Sequence, residues 1–113
     1  MHEFSIAQSI IDIAEDSAKK ENCRKITSIK LEVGTLSGIV LEALETAMEF
    51  AVKKTMLEGA QVEIVKIDAK AECKNCGHNF SITGHFQPCP RCKSFKHLLL
   101  KGDKIKVMSL EAE

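Results

Sequence analysis

Aromatic side chains are scarce in this chain of 113 residues, which contains no tryptophan, no tyrosine and only five phenylalanines. A surface that stacks bases or sugars on aromatic rings would therefore have few side chains to use. Long apolar runs are also missing, since no stretch approaches the roughly 20 residues that a membrane-spanning helix needs. The hydrophobic fraction of 44% is nonetheless normal for a folded domain. These features predict a small soluble protein with one modest core.

Recognisable catalytic patterns are missing as well. The sequence contains no glycine-rich phosphate loop and no His-Glu-x-x-His helix, and no Ser/His/Asp arrangement is legible in it. We therefore expect a binding or delivery protein rather than an enzyme.

The net charge is zero, but the 16 basic and 16 acidic residues are unevenly spread. Between residues 70 and 101 there are six basic residues and one acidic residue, so this segment carries about +5 and the remainder about −5. The simpler explanation is that this positive charge offsets the negative charge of cysteine thiolates in the same segment. The alternative is an acidic partner or a nucleic acid that touches the segment.

What the chain does contain is two Cys-x-x-Cys pairs, Cys73 with Cys76 and Cys89 with Cys92, with twelve residues between them. Each pair lets two thiolates reach one ion from a tight loop, and two such loops complete a tetrahedron of sulfur ligands. Disulfide pairing is the alternative, but no secretory leader pattern stands at the start and Cys23 is left over. We therefore predict one closed, structural Zn(II) site and a reducing, cytoplasmic location.

Two other interpretations of the cysteines remain open. Iron competes with zinc, because both knuckles resemble those of rubredoxin, although Lys93 stands where rubredoxin has glycine. A thioredoxin-like redox pair is less favoured, because neither pair opens a helix that follows a strand. The three histidines near the cysteines are expected to be surface or hydrogen-bonded residues rather than ligands: His78, His85 and His97.

A second candidate metal site lies at the amino terminus, which reads Met1-His2-Glu3. Because residue 2 is large, Met1 should be retained and should carry the free amine. That amine, the backbone nitrogen of His2 and its imidazole can chelate one ion in fused rings, a planar nitrogen-rich set that suits Ni(II) or Cu(II). Glu3 can add an oxygen donor. A solvated or helix-capping histidine is the alternative.

Hydrophobic periodicity predicts the order helix, strand, helix, strand, metal module, strand. We expect helices at 4–20 and 40–57 and strands at 25–33, 61–68 and 104–110. The first helix has Ser5 and Gln8 in the form of a capping box, or else it starts a turn earlier near Glu3. Because a strand-helix-strand crossover favours parallel pairing, the predicted class is α/β. This is a small three-stranded mixed sheet with two helices on one face and an inserted four-cysteine zinc-ribbon-like module.

The whole pattern resembles the HypA family of nickel metallochaperones for hydrogenase maturation. The resemblance runs from end to end and rests, besides the cysteine pairs, on Met1-His2-Glu3-Phe4-Ser5, on Leu31-Glu32-Val33-Gly34 followed by Leu36-Ser37-Gly38, and on Glu58-Gly59-Ala60. It implies that Ni(II) is carried as cargo by Met1 and His2 with Glu3 nearby. It also implies that one zinc is held by the four paired cysteines, Cys73, Cys76, Cys89 and Cys92.

The resemblance implies a function and partners too. Nickel would be inserted into the large subunit of [NiFe]-hydrogenase, in some organisms into urease, with a nickel-handling maturation GTPase and the hydrogenase large-subunit precursor as partners. A homodimer is compatible with the sequence, whereas neither a membrane nor a nucleic acid is expected. The rival interpretation is a zinc-ribbon module that binds nucleic acid or protein through its basic segment.

The order of the predicted elements divides the chain, and the sequence departs from the family at one point. Residues 1–69 and 102–113 are expected to form a nickel-binding α/β domain and residues 70–101 a zinc-binding module. Some members carry an acid shortly after the Leu-Ser-Gly segment, but here Ile39-Val40-Leu41 follows and Glu42 is the first acid. The fourth nickel donor is therefore left open.

Overall fold

Two helices and six strands occur in the computed structural model, which describes residues 2–113. They are α1 Glu3–Lys20, β1 Ile26–Gly34, α2 Leu41–Ala51, β2 Gln61–Ile67, β3 Lys70–Cys73, β4 Asn79–Ser81, β5 His97–Lys101 and β6 Ile105–Ala112. The strands form two separate three-stranded sheets in a molecule that extends 53 × 26 × 17 Å. No helix within the described range is both long and apolar enough to cross a membrane.

The first sheet has the strand order β2-β1-β6. Strand β1 pairs with β2 in parallel, from Ser28 opposite Gln61 to Gly34 opposite Ile67, and with β6 in antiparallel fashion. The predicted mixed sheet, with a parallel crossover and an antiparallel last strand, is therefore confirmed.

Both helices pack on this sheet because each carries a stripe of small and aliphatic residues at helical spacing. They share one buried cluster with the central strand, and each fully buried aliphatic side chain in it stabilises the fold by roughly 1.5–3 kcal/mol. The fully buried side chains of this cluster include Ile11, Ile26, Ile29, Leu31, Leu44, Met48 and Leu57.

Several helix boundaries differ from the sequence prediction. Helix α1 starts at Glu3, so the earlier of the two predicted starts is correct and the Ser5 capping box is wrong. Ser5 lies inside the helix, where its carbonyl accepts a hydrogen bond from the Ser9 hydroxyl. Phe4 has the helical spacing of an apolar-face residue of α1, but its side chain is 59% exposed. Helix α2 ends at Ala51 rather than Leu57, because the chain turns through Lys54 at φ 62°.

A second sheet, which the sequence pattern did not predict, carries the cysteine segment. Its order is β4-β3-β5 with both pairings antiparallel, and Ala71 lies opposite Phe80 on one side and Leu99 on the other. It covers a small hydrophobic cluster of its own, against which Leu36 from the loop after β1 also packs.

Two short connections, residues 68–69 and 102–104, join the sheets and meet at a close backbone contact. Gly102 has φ +90°, and a Cβ placed there would lie 2.4 Å from the Cα of Ala69. A Cβ at Gly34 would lie 2.1 Å from the carbonyl oxygen of Gly102. The Leu36 amide donates to that same oxygen at 2.8 Å, and the Ala69 amide donates to the Thr35 hydroxyl at 3.0 Å. The junction therefore requires glycine on steric grounds.

Replacing Gly102 by alanine is expected to destabilise the chain much more than replacing Gly59. Gly59 also has a positive φ, +79°, but nothing lies within 4 Å of an added Cβ, so only the backbone cost of roughly 1–2 kcal/mol applies. At Gly102 the overlap with Ala69 adds to that cost, for a total of about 3 kcal/mol or more. Urea unfolding of the two zinc-loaded variants measures the difference. An equal loss of unfolding free energy in the two variants would contradict the steric explanation.

Candidate metal centres

The four paired cysteines meet at one point beside the second sheet. Their Sγ atoms all lie within 4.8 Å of one another. The Sγ atoms of Cys73 and Cys92 are 3.4 Å apart, and those of Cys76 and Cys89 are 3.7 Å apart. Zinc–sulfur bonds of about 2.3 Å in a tetrahedron place sulfur atoms about 3.8 Å apart. The cluster therefore has the dimensions of a four-thiolate zinc site.

Two loops of the same shape hold these thiols. After Cys73 the chain turns so that the Gly77 amide donates to the Cys73 carbonyl at 2.9 Å, and Gly77 has φ 78°. After Cys89 the Lys93 amide donates to the Cys89 carbonyl at 2.9 Å, and Lys93 has φ 67°. Lys93 thus adopts the left-handed conformation that glycine adopts in the first loop. Its presence consequently gives no geometric ground for preferring zinc over iron.

Hydrogen-bond donors within the loops favour thiolates at some positions. The side-chain amide of Asn75 lies 3.5 Å from the Cys92 sulfur and, with the Ser94 amide, lowers the pKa of Cys92 to about 6. Burial raises the pKa of Cys89, but donation from the amides of Cys92 and Arg91 outweighs it and the net shift is downward.

The thiol of Cys76 behaves in the opposite way to those of Cys89 and Cys92. Donation from the His78 amide lowers the pKa of Cys76, but burial and the three neighbouring thiols outweigh it and raise the value to about 11. Four thiolates this close need a bound cation to ionise together, which links metal binding to proton release.

The sequence analysis did not identify Asn75 as a donor to the Cys92 sulfur. A polar side chain inside a Cys-x-x-Cys loop is a usable signal for a hydrogen-bond donor of this kind.

The remaining cysteine and the nearby histidines lie outside this cluster. Cys23 packs against the main core. His85 is exposed, and His78 stacks on Phe80 with ring centroids 6.2 Å apart. His97 meets the edge of the same ring, and its Nδ1 is buried without a hydrogen-bond partner among the described residues. His97 therefore differs from the prediction that this histidine is a surface or hydrogen-bonded residue.

At the amino terminus His2 is exposed and stands at the N-cap position of α1, with φ −93° and ψ 95°. Its carbonyl accepts a hydrogen bond from the Ile6 amide at 3.2 Å, whereas its side chain makes no capping hydrogen bond. The imidazole of His2 therefore does not cap the helix, and that alternative is wrong. Met1, the other predicted ligand, lies outside the described residues.

Glu3 is held by the start of the other helix. Its Oε2 accepts a hydrogen bond from the backbone amide of Val40, the N-cap residue of α2, at 3.3 Å. The backbone amides of Glu3 itself and then of Val40 lower the pKa of the Glu3 carboxyl. This contact joins residues 37 positions apart, so no local sequence pattern could have found it.

The Glu3 contact predicts a pH dependence. Because its pKa is lowered on folding, Glu3 contributes stability that is fully present above its ordinary pKa of 4.5 and is lost as pH falls through the lower, folded-state pKa. Glu3→Gln should lower the thermal midpoint at neutral pH by less than about 4 °C, and this difference should shrink as the pH falls through the folded-state pKa of Glu3. Melting curves across pH, with Glu45→Gln as the exposed control on α2, measure the effect. A difference that persists in acid would contradict the contact.

Comparison with known proteins agrees with these features. A family model described as hydrogenase/urease nickel incorporation, metallochaperone, hypA matches residues 1–112. Hydrogenase maturation factor HypA of Geobacter metallireducens is 39% identical over 113 residues, which cover all of both chains. The HypA of Francisella philomiragia is 40% identical over 110 residues, which cover 97% of each chain.

A solved structure also matches along the whole chain. The solution structure of the nickel metallochaperone HypA from Helicobacter pylori has a TM-score of 0.74 and 28% identity, and the match covers 99% of this chain and 97% of that one. The resemblance predicted from the sequence is thereby confirmed, and the role of the family as hydrogenase maturation factors fits the expectation of a binding or delivery protein. The chain belongs to the HypA family of nickel metallochaperones that act in hydrogenase maturation.

Proposed function

We propose that this protein binds Ni(II) at its amino terminus and helps insert it into the large-subunit precursor of [NiFe]-hydrogenase. The ligands would be the Met1 amine and the backbone nitrogen and imidazole of His2, with Glu3 nearby. The observation that carries the proposal is the exposed imidazole of His2, which makes no capping bond at the start of α1 in a chain of the HypA family. A nitrogen-rich planar set of this kind suits nickel.

Glu3 has a positioning role in this proposal. Its carboxylate accepts from the Val40 amide and so fixes the first residue of α1 against the start of α2. Since His2 directly precedes Glu3, this contact limits where the chelating imidazole can lie. Glu3 and Glu42 also line one shallow surface cleft, so we take Glu42 as the candidate from α2 for the open fourth position.

The zinc would be structural. If Cys73, Cys76, Cys89 and Cys92 all bind one ion, the tetrahedron is closed and has no position for water or for cargo. We assign residues 70–101 to this zinc-binding module and residues 1–69 and 102–113 to a nickel-binding α/β domain. Two separate hydrophobic clusters support this division, with Leu36 and Ala69 as the residues of the first part that pack into the second cluster.

The proposed partners are a nickel-handling maturation GTPase and the hydrogenase precursor, in the cytoplasm. Urease is a second possible recipient, because the matching family model names both enzymes. The excess of basic residues in 70–101 offsets the negative charge of the four thiolates. A nucleic-acid partner is therefore not needed to explain it.

Complementation tests this function. In a bacterium that lacks its own HypA, the wild-type chain should restore nickel in the purified hydrogenase large subunit, and so should His85→Ala. His2→Ala should leave the nickel content at the level of the deletion strain. Restoration by His2→Ala would contradict the proposal. Nickel restored to urease alone would show that the recipient is wrong.

A further inference from the structure

The zinc-binding module exposes large apolar side chains although it contains few of them. Over the described residues nine such side chains are exposed, and four of the nine lie in residues 70–101. Three of these four fall within six consecutive positions: Phe95 is 62% exposed, Leu98 52% and Leu100 48%. Clustered apolar surface of this kind marks interaction sites. This stretch is therefore a candidate docking surface.

Leu98 and Leu100 belong to β5, which forms one edge of the second sheet. The strand pairs with β3 on one side, and no strand within residues 2–113 pairs with its other side. Leu99 packs against the second hydrophobic cluster, whereas the leucines on either side of it are exposed. A free edge has unpaired backbone N–H and C=O groups, so β5 can accept an added strand.

The other edge of this sheet is less suitable. Strand β4 is three residues long, and its exposed side chains are the polar Asn79 and Ser81. Its one apolar residue, Phe80, is buried. A strand added at β4 would therefore find few main-chain partners and no exposed apolar side chain.

Cations stand at both ends of β5. Lys96 precedes the strand, Lys101 ends it and Lys104 follows, with Asp103 as the acid beside them. The three lysines are exposed and form no ion pair with any described residue. Bound zinc does not remove the excess charge, because four thiolates and one Zn(II) sum to −2 against about +5 from residues 70–101, which leaves about +3. The surface consequently favours an acidic partner.

Another β5 strand is a poor occupant of this edge. Antiparallel pairing of two copies about Leu99 would set Lys101 of each copy opposite His97 of the other. It would also bring the lysines of both copies together, and like charges opposite each other destabilise paired strands. An occupant with carboxylates at these positions has the complementary charge.

We infer that the free edge of β5 binds an extended, acidic segment of another protein as an added strand of the second sheet. Main-chain hydrogen bonds supply the affinity, and apolar side chains in the middle of the segment contact Leu98 and Leu100. Carboxylates at its ends face Lys96 and Lys101. The surface does not include residues 1–3, so the inference does not rest on nickel binding.

A synthetic peptide tests this inference in the full, zinc-loaded chain. The probe has glutamates at both ends and alternating valine and threonine in the middle, and its binding is followed by amide NMR and fluorescence anisotropy. The wild type should bind it with amide shifts concentrated at residues 97–101, and added salt should weaken the binding. Lys96→Glu combined with Lys101→Glu should weaken it by about tenfold or more, because attraction becomes repulsion at both ends. His2→Ala should bind the peptide as the wild type does.

Matched controls separate strand addition from general charge attraction. Lys25→Glu combined with Lys66→Glu reverses two exposed charges outside the module and should leave peptide affinity unchanged. A peptide with lysines in place of the glutamates should not bind the wild type. Nor should an acidic peptide that is N-methylated at its middle residues, because it cannot donate main-chain hydrogen bonds. Both altered peptides are tested on the wild-type chain, so the result does not depend on the folding of a variant.

Several outcomes would overturn the inference. The first is a wild type that does not bind the acidic peptide, including one that binds a single-stranded RNA of ten nucleotides instead. The second is equal binding of either altered peptide. The third is an equal affinity in the two doubly substituted variants, or amide shifts that lie outside the second sheet.

Discussion

Replacing His2 by alanine is expected to lower nickel affinity by about 100-fold or more while the zinc content and the fold stay unchanged. Changes in groups that merely contact a metal ligand cost roughly 10–100-fold, so loss of a chelating ring nitrogen should cost at least the upper end of that range. His2 is exposed and its side chain makes no capping bond, so its removal should leave α1 intact. Calorimetric titration with Ni(II) measures the affinity.

The matched control for this variant is His85→Ala. His85 is also exposed but lies between the two cysteine pairs, far along the chain from residue 2. Its replacement should leave nickel affinity unchanged. An unchanged affinity in His2→Ala, or an equal loss in both variants, would show that the cargo binds elsewhere.

Replacing Cys73 by serine is expected to unfold the second sheet while the helices persist. Cys73 is 1% exposed at the end of β3, and the cluster around it contains few sizeable apolar side chains, chiefly Phe80 and Ile82. Metal binding in such small modules supplies roughly 10 kcal/mol or more of folding free energy. Without the fourth thiolate most of that stabilisation is lost, whereas the main core of α1, α2 and β1 does not depend on it.

Amide spectra and limited proteolysis measure this outcome. Signals from residues 70–101 should collapse to disordered positions, and cleavage should concentrate there, while the helical circular dichroism changes little. Cys23→Ser serves as the control, because Cys23 packs against the main core and not in the cluster. A Cys73→Ser chain with an intact second sheet would show that the metal is dispensable for folding.

The features that sequence reasoning predicted correctly are those written in local patterns. Alternation along β1 and β2 and the helical spacing in α1 are properties of a few consecutive turns or residues, and they also determine which faces are buried. The spacing of the cysteines likewise predicts their convergence, because a Cys-x-x-Cys loop has few ways to fold around an ion.

The failures arise where distant residues or turns override a local pattern. The predicted second helix continues to Leu57, which is buried, but the chain reaches that position through a turn at Lys54 rather than through a helix. The second sheet has strands of three to five residues, too short to show a period. The bond from Val40 to Glu3 exists only because α1 and α2 start side by side.

The most direct test of this account is the metal content of the purified chain after nickel loading and desalting. Mass spectrometric metal analysis should find one zinc and one nickel per wild-type chain. A chain with one glycine added before Met1 should retain the zinc and lose the nickel, because the amine no longer adjoins the His2 nitrogens. Nickel retained by the extended chain, or zinc lost with it, would contradict the assignment of cargo to the amino terminus and of a structural role to the cysteines.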